Sequence, residues 1–462
     1  MLGVMEEREF DVIVIGAGPA GEVCAGRLAE RELEVALVEE HLVGGECSFY
    51  ACMPSKALLR PGELLAEVAR VPGARETVSG ELDAQVVLRR RDEVIHGRDD
   101  SGQLPWLEER GIELFRGQAA FEAEQSVRVG SELLRARRAV VVATGTAAAI
   151  PPIDGLGEAR PWTNREATTA AEVPERLLVL GGGVVGVELA QAWSSLGSSV
   201  TVVEAEERIL FNEEPFASAE ISAGLDRAGV ELRTGARAAG ASRGEGGRVS
   251  LELEGGERLR GDELLVAVGR RPRTEELFLE RAGAEAGAAG YLEVDDQLRV
   301  GGSDWLYAIG DVNGRSLLTH MGKYQARIAA DHILGEDVTA TGDKGGSPRV
   351  VFTDPQLAAV GLTLAKAQEQ GIEARAVDVS TAGNAGASFH GRDMPGTSRI
   401  VVDEQRHVIV GASFVGPEVA ESLHAATIAV VAEVPLERLW HAVPAFPTRN
   451  EVWLKLLETY GL

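Results

Sequence analysis

Cysteine is scarce in this sequence, with three in 462 residues, and no histidine lies near the two that are close together, Cys47 and Cys52. A four-ligand metal site on that pair lacks partners. No apolar run reaches the roughly 18 residues that a membrane span needs. The opening MLGVMEEREF has neither the basic segment nor the apolar stretch of a secretory leader. The expectation is a cytoplasmic protein with no membrane partner, in a compartment that keeps exposed thiols reduced. Positive charge is short as well. Lys and Arg total 46 against 72 Asp and Glu, and the formal net charge of -26 opposes nucleic acid, whose phosphates demand basic patches. Only five of those cations are lysines, and no segment is of low complexity.

What remains is a chain long enough for about three domains, with 45% hydrophobic residues to fill their cores. Its organising stretch is GGECSFYACMPSK, Gly44 to Lys56. Four residues separate the cysteines. In an unbroken α-helix that spacing sets their Cα atoms about 8 to 9 Å apart, beyond the reach of about 7 Å for a disulfide. A bonded pair therefore requires a distorted first turn. Intracellular cysteine pairs are more often catalytic or metal-binding than structural.

Two nucleotide-binding patterns flank the pair. DVIVIGAGPAG runs a β-branched strand into a turn at Gly16, Gly18 and Gly21 and then a helix, and Glu39 ends the next strand eighteen residues after Gly21. An acid there accepts the hydroxyls of an adenosine ribose. RLLVLGGGVVGVELAQAW repeats the pattern with Gly181, Gly183 and Gly186, followed by Glu204 at the same distance. A glutamate at that position favours NADH, because it binds a free 2'-hydroxyl and repels a 2'-phosphate. Arg208 without a second arginine leaves NADPH as the open alternative. Cys24, on the helix after the first turn, reads as a packing residue.

Between these turns, Arg60 to about Trp106 is helical in pattern with a turn at Val71 to Ala74. Strand-like segments follow at Ile112 to Arg116 and Ser126 to Val129, then RAVVVATG with Ala143, Thr144 and Gly145 at its end. Pro151 to Gly155 reads as a connector. WLYAIGDVNG closes on Gly310 and Asp311 before a helix beginning near Leu318, and Thr339 to Pro348 reads as a linker.

In order, GAGPAG, GGEC....CMPSK, VVVATG, GGGVVGVE, VGRRP, AIGDV and VFTDP resemble the pyridine nucleotide-disulfide oxidoreductases, the family of dihydrolipoamide dehydrogenase, glutathione reductase and mercuric reductase. The resemblance spans essentially the whole chain. It implies an α/β fold with two Rossmann-like dinucleotide-binding domains and an α+β dimerisation domain. Residues 1–155 and 270–340 would bind FAD, 156–269 NAD(P)H, and 347–462 would form a homodimer interface.

The resemblance also implies roles. Cys52 would lie nearest the flavin, and Cys47 would attack substrate as the interchange thiol. Lys56 would sit by the flavin N5 region, paired with Glu188, and Asp311 would hold the ribityl chain. Gly45, Ala119, Ala143, Thr144, Gly145, Gly310, Leu318 and Thr319 would line the same cofactor, and Gly269 the nicotinamide nucleotide. Electrons would run from NADH through FAD to a Cys47/Cys52 disulfide and on to a small disulfide, thiol or thioether substrate.

One departure stands out. Disulfide-reducing relatives end with His-Pro-Thr and a Glu three residues later, the His acting as acid/base and the Glu orienting it. Here the segment is AFPTRNE: Pro447, Thr448 and Glu451 match, and Phe446 takes the histidine position. A phenyl ring neither takes a proton nor stabilises a thiolate. His441 is a distant substitute and His320 reads as part of the flavin environment; Glu451 reads as a solvated or ion-paired helix residue, with a direct catalytic role as the alternative, and Tyr50 reads as packing, with proton donation as the alternative. Ketopropyl-coenzyme M oxidoreductase/carboxylase is similar in the Phe, which makes thiolate-assisted C-S or C-C cleavage the second reading. A redox-sensing or complex-forming flavoprotein is the third. Mercuric reductase is disfavoured, because no cysteine pair stands near the carboxyl terminus.

Overall fold

The β-branched runs form buried parallel strands. In the computed structural model, which describes residues 6–391, 394 and 396–462, the chain forms two units: residues 1–54, 92–148 and 270–344, and residues 55–91, 149–269 and 345–462. The 156–269 and 347–462 segments thus fall in one unit. Among the described residues no helix is long and apolar enough to cross a membrane.

The first unit is built on a seven-stranded sheet. Glu113–Arg116, Val35–Glu39, Glu6–Ile15 and Glu132–Val142 run parallel in that order, and Leu306–Ala308 adds to the last of them. Ser126–Val129 and Ala119–Ala123 continue it as an antiparallel meander. Alternate side chains explain why the central runs are apolar at every position. Val12, Val14, Leu37 and Val141 face Cys24, Ala25 and Leu28 of the helix Pro19–Ala29 and Ala326 and Ala329 of Thr319–Ile333. Ile13, Ile15, Val38, Val140 and Val142 face the other way, against Phe121 and Leu277.

The second unit holds a four-stranded parallel sheet, Glu231–Arg233, Ser199–Val203, Arg176–Leu180 and Glu263–Val266, beside a three-stranded antiparallel sheet. A five-stranded antiparallel sheet from Arg349–Val351 to Ala374–Ser380 completes it. Helices Leu423–Val431 and Glu451–Tyr460 cover that sheet, with Trp453 5.7 Å from Phe414 ring to ring.

Candidate active site

Each nucleotide turn sits where a parallel strand meets a helix. Gly16 has φ 101°, and a Cβ there would lie 2.4 Å from the Ala143 carbonyl oxygen. A Cβ at Gly21 would lie 1.8 Å from the Gly16 oxygen, so the first helix turn packs directly on the loop. Gly18 has nothing within 4 Å of such a position. The open face lies at the N-terminus of Pro19–Ala29, whose free N–H groups and positive dipole end suit a pyrophosphate. Glu39 fixes the turn from the next strand, one carboxylate oxygen accepting the Ala17 N–H at 2.7 Å and the other the His41 N–H at 2.7 Å. A cavity of about 290 Å³ opens here, lined by Gly16, Glu39, Ala119 and Thr144. The donor set and the open glycine fit an adenine dinucleotide.

The second turn repeats this construction. Gly181 has φ 111°, a Cβ on Gly186 would lie 1.9 Å from the Gly181 oxygen, and Gly183 is open. Glu204 accepts the Gly182 N–H at 2.6 Å and the Glu206 N–H at 2.8 Å, as Glu39 does in its own turn. Arg208 donates to the carbonyls of Leu210, Phe211 and Glu213, which holds its guanidinium inside its own loop. Gly269 follows the last strand of this sheet, with φ 145°.

The first unit collects the remaining candidates. Gly45 stacks on the first turn, where its Cβ position is 2.8 Å from the Gly18 Cα. Thr144 donates its hydroxyl to the Arg273 carbonyl, and Gly145 O accepts the Arg273 N–H. Asp311 accepts the Thr146 hydroxyl at 2.9 Å and lies 3.9 Å from the Arg270 guanidinium, and burial pushes its carboxyl up. Gly310, with φ 74°, donates its N–H to Gln325, a fully buried side chain with no signal in the sequence. Leu318 caps Thr319–Ile333 in extended conformation.

The cysteine pair lies on a broken helix. Gly45–Phe49 ends at Tyr50 (φ -137°, ψ -3°), and a new helix, Cys52–Arg70, starts at the second cysteine. This break is the distortion that a bonded pair would need, and it brings the two thiols into hydrogen-bond contact. Cys52 Sγ lies 3.5 Å from the Thr319 hydroxyl. The hydrogen bond to Cys52, burial and the charge of Cys52 push the Cys47 thiol up, while Thr319 and Lys323 oppose the rise. The first negative charge on the pair therefore falls more readily on Cys52, and Cys47 ionises less easily than an isolated thiol. Cys24 is fully buried in the core, as a packing residue should be, and burial pushes its thiol up to about 12.

One turn beyond Cys52 on the same helix, Lys56 donates to Glu188 at 2.6 Å and lies 4.7 Å over the Phe352 ring. The other oxygen of Glu188 accepts the Phe352 N–H at 2.9 Å, and the glutamate is 3% exposed. Glu188→Ala should therefore cost about 2 to 4 kcal/mol, because it leaves a buried amide and an ammonium without their acceptor. Glu188→Gln should cost less, since its amide oxygen still accepts from Phe352. Urea unfolding checks the ranking, and equal stabilities would show that the pair contributes nothing net.

At the carboxyl terminus Phe446 is 77% exposed, and the Thr448 hydroxyl donates to the Ala445 carbonyl. Glu451, half-buried at the start of the helix Glu451–Tyr460, accepts the Gly386 N–H at 2.9 Å. His441 is exposed beyond the short helix Leu436–Leu439. Arg449, missed in the sequence, is mostly buried and pairs with Glu418 at 3.0 Å.

Residues 10–330 match the family model described as pyridine nucleotide-disulphide oxidoreductase, and residues 347–457 match that family's dimerisation domain. A dihydrolipoyl dehydrogenase from Haloferax volcanii is 33% identical over 97% of this chain and 95% of its own length. A mercuric reductase from Staphylococcus aureus is 30% identical, covering 96% of this chain and 81% of that one. Among solved structures, the Cu(II) complex of the HOCl-induced flavoprotein disulfide reductase RclA from Escherichia coli superposes with a TM-score of 0.86 at 27% identity, covering 98% of this chain and 99% of that one. The mixed α/β fold, the two glycine turns and the cysteine pair accord with these matches. The chain belongs to the FAD-dependent pyridine nucleotide-disulphide oxidoreductases.

Proposed function

We propose that this protein is an NADH-linked reductase of small disulfides, with Cys47 and Cys52 as its redox pair. Residues 1–155 and 270–340 would hold FAD, 156–269 NADH, and 347–462 would pair two copies through exposed apolar side chains such as Ile428, Val431 and Val443. The observation that carries the reading is the broken helix, which sets the two thiols together with Cys52 against Thr319 in the unit that holds the first nucleotide turn. When bound, FAD accepts a hydride equivalent from the nicotinamide and delivers two electrons to the cysteine pair.

The chain's own residues do the rest. Gly16, Gly18, Gly21, Glu39, Gly45, Ala119, Ala143, Thr144, Gly145, Gly310, Asp311, Leu318 and Thr319 would hold FAD. Gly181, Gly183, Gly186, Glu204 and Gly269 would hold NADH, and Lys56, fixed by Glu188, would face the reactive edge of the flavin ring. Cys47 as thiolate attacks one sulfur of the substrate disulfide, the S–S bond breaks, and the first product leaves as a thiolate that takes its proton from water. Cys52 then attacks Cys47 in the mixed disulfide, releasing the second thiol and closing the Cys47–Cys52 bond. Two electrons have passed from the dithiol to the substrate.

Anaerobic titration with NADH tests this reading. A long-wavelength absorbance after the first two electrons, with the flavin re-oxidised by the cysteines, is the expected result. Direct bleaching without it would rule the pair out. The commitment of Arg208 to its own loop supports NADH over NADPH. The expected preference in kcat/KM is at least tenfold, about 1.4 kcal/mol, and steady-state rates with both nucleotides check it.

A further inference from the structure

Thr339 to Pro348 reads as a linker in the sequence, yet its first half is fastened into the first unit. Thr341 and Gly342 both donate their N–H to the Tyr324 hydroxyl at 3.0 Å, and the Ala340 N–H donates to the Asp296 carbonyl at 2.7 Å. Those bonds lay Asp343 against the helix Thr319–Ile333, where its side chain has no exposure. A free linker would leave that carboxylate in water. Here one oxygen accepts the Arg315 guanidinium at 3.1 Å, and the other accepts the Gln325 side-chain amide at 3.0 Å.

Gln325 is itself fully buried, and the far end of its amide meets the turn that carries Asp311. Its Oε1 accepts the Gly310 N–H at 2.8 Å and the Asn313 side-chain amide at 2.9 Å, so it closes on both ends of the turn Gly310–Asn313. Asn313 also donates to the Ala308 carbonyl and accepts the Arg315 N–H, each at 3.0 Å. The turn needs this hold, because Gly310 stands at φ 74° immediately before Asp311. A glutamine amide has a donor end and an acceptor end, and one orientation alone suits two donors on one side and a carboxylate on the other. Asp343 selects that orientation. Turned over, the amide would set N–H against N–H at Gly310 and oxygen against oxygen at Asp343, among atoms closed to solvent.

We infer that Asp343 is a positioning residue for the flavin site: through the Gln325 amide it fixes the Gly310–Asn313 turn, and with it the carboxyl of Asp311. The inference rests on the reading of Asp311 as a residue that holds FAD. It adds that position 343 contributes a pattern of acceptors, so an exchange that preserves the pattern across positions 325 and 343 should preserve the site.

The test is that exchange. Asp343→Asn leaves one acceptor where two donors arrive, and Gln325→Glu sets two carboxylates face to face. Together they restore the count: the amide at position 343 donates to the carboxylate at 325 and accepts from Arg315, while that carboxylate accepts from Gly310 and Asn313. Net charge is unchanged. Holoenzyme of each variant is diluted, released FAD is collected by ultrafiltration, and the visible-region circular dichroism of the retained flavin is recorded beside urea unfolding. Each single variant should release FAD about tenfold faster with an altered flavin dichroism, and the double variant should return to within about threefold of wild type with the native dichroism. Single variants that lose only urea resistance, with release and dichroism unchanged, would make Asp343 a structural residue and overturn the inference. A double variant no better than the worse single variant would overturn it too. If neither single variant retains FAD, the double variant decides: wild-type release supports the inference, and failure to retain FAD ends it. Asp311→Ala tests the underlying reading separately. Release no faster than wild type would remove Asp311 from the residues that hold FAD, while rescue in the double variant would still tie Gln325 to Asp343.

Discussion

Cys52→Ser is expected to lose the long-wavelength absorbance entirely, whereas Cys47→Ser should show it before any reductant is added. Both should lose disulfide turnover by a factor on the order of 10⁴ or more, since either substitution removes a member of the relay. The opposite spectra follow from where the two sulfurs sit. Cys52 is the first residue of the long helix Cys52–Arg70, where unpaired N–H groups and the positive end of the dipole favour an anion. It also touches the Thr319 hydroxyl. Cys47 lies inside a five-residue helix, and its hydrogen bond to Cys52 and its burial push its thiol up. One negative charge on the pair therefore resides on Cys52. Serine at 47 removes the partner that would otherwise bond with Cys52 in the oxidised protein, so the thiolate is permanent. Spectra of the two oxidised variants check this at once, and bands of equal strength in both would reverse the assignment of the thiols.

Much of this was legible in the sequence because it is local. A strand, a glycine turn and a helix occupy about 20 consecutive residues, and the acid that closes each turn follows at a fixed distance, Glu39 after Gly16 as Glu204 after Gly181. A bonded pair at that spacing likewise requires a break in the helix, although no glycine or proline lies between the cysteines to mark it. The break falls at Tyr50 and Ala51, and the proline sits instead at Pro54, in the first turn of the new helix, where a missing N–H costs nothing. Length was harder to read. Glu132–Val142 begins six residues before the apolar run at Arg138 because its first half alternates Leu134 and Ala136 inward with Arg135 and Arg137 outward, and arginines conceal a strand.

Contacts between distant segments were not legible at all. The acceptor role of Glu451 depends on Gly386, 65 residues earlier, and that of Gln325 depends on the turn at Gly310. Nothing in the composition of either segment announces its partner. The close packing of Gly322 on Ala20 belongs to the same class, since it joins two helices some 300 residues apart in the chain.

Phe446→His should raise the turnover of small disulfides at least tenfold and give it a pH dependence with a midpoint near the ordinary histidine range of about 6.5. A well-placed general acid/base contributes about 10² to 10⁴, or roughly 3 to 5 kcal/mol. The gain expected here lies below the top of that range, because Glu451, the residue that would orient the new imidazole, already gives one oxygen to the Gly386 N–H and has one left. Since Phe446 is 77% exposed, the substitution should change stability by no more than about 0.5 kcal/mol, so a null result would not be a folding failure. Steady-state assays from pH 5.5 to 8.5 on protein with full flavin content decide the matter, and no gain across that range would mean that position 446 no longer serves the thiol.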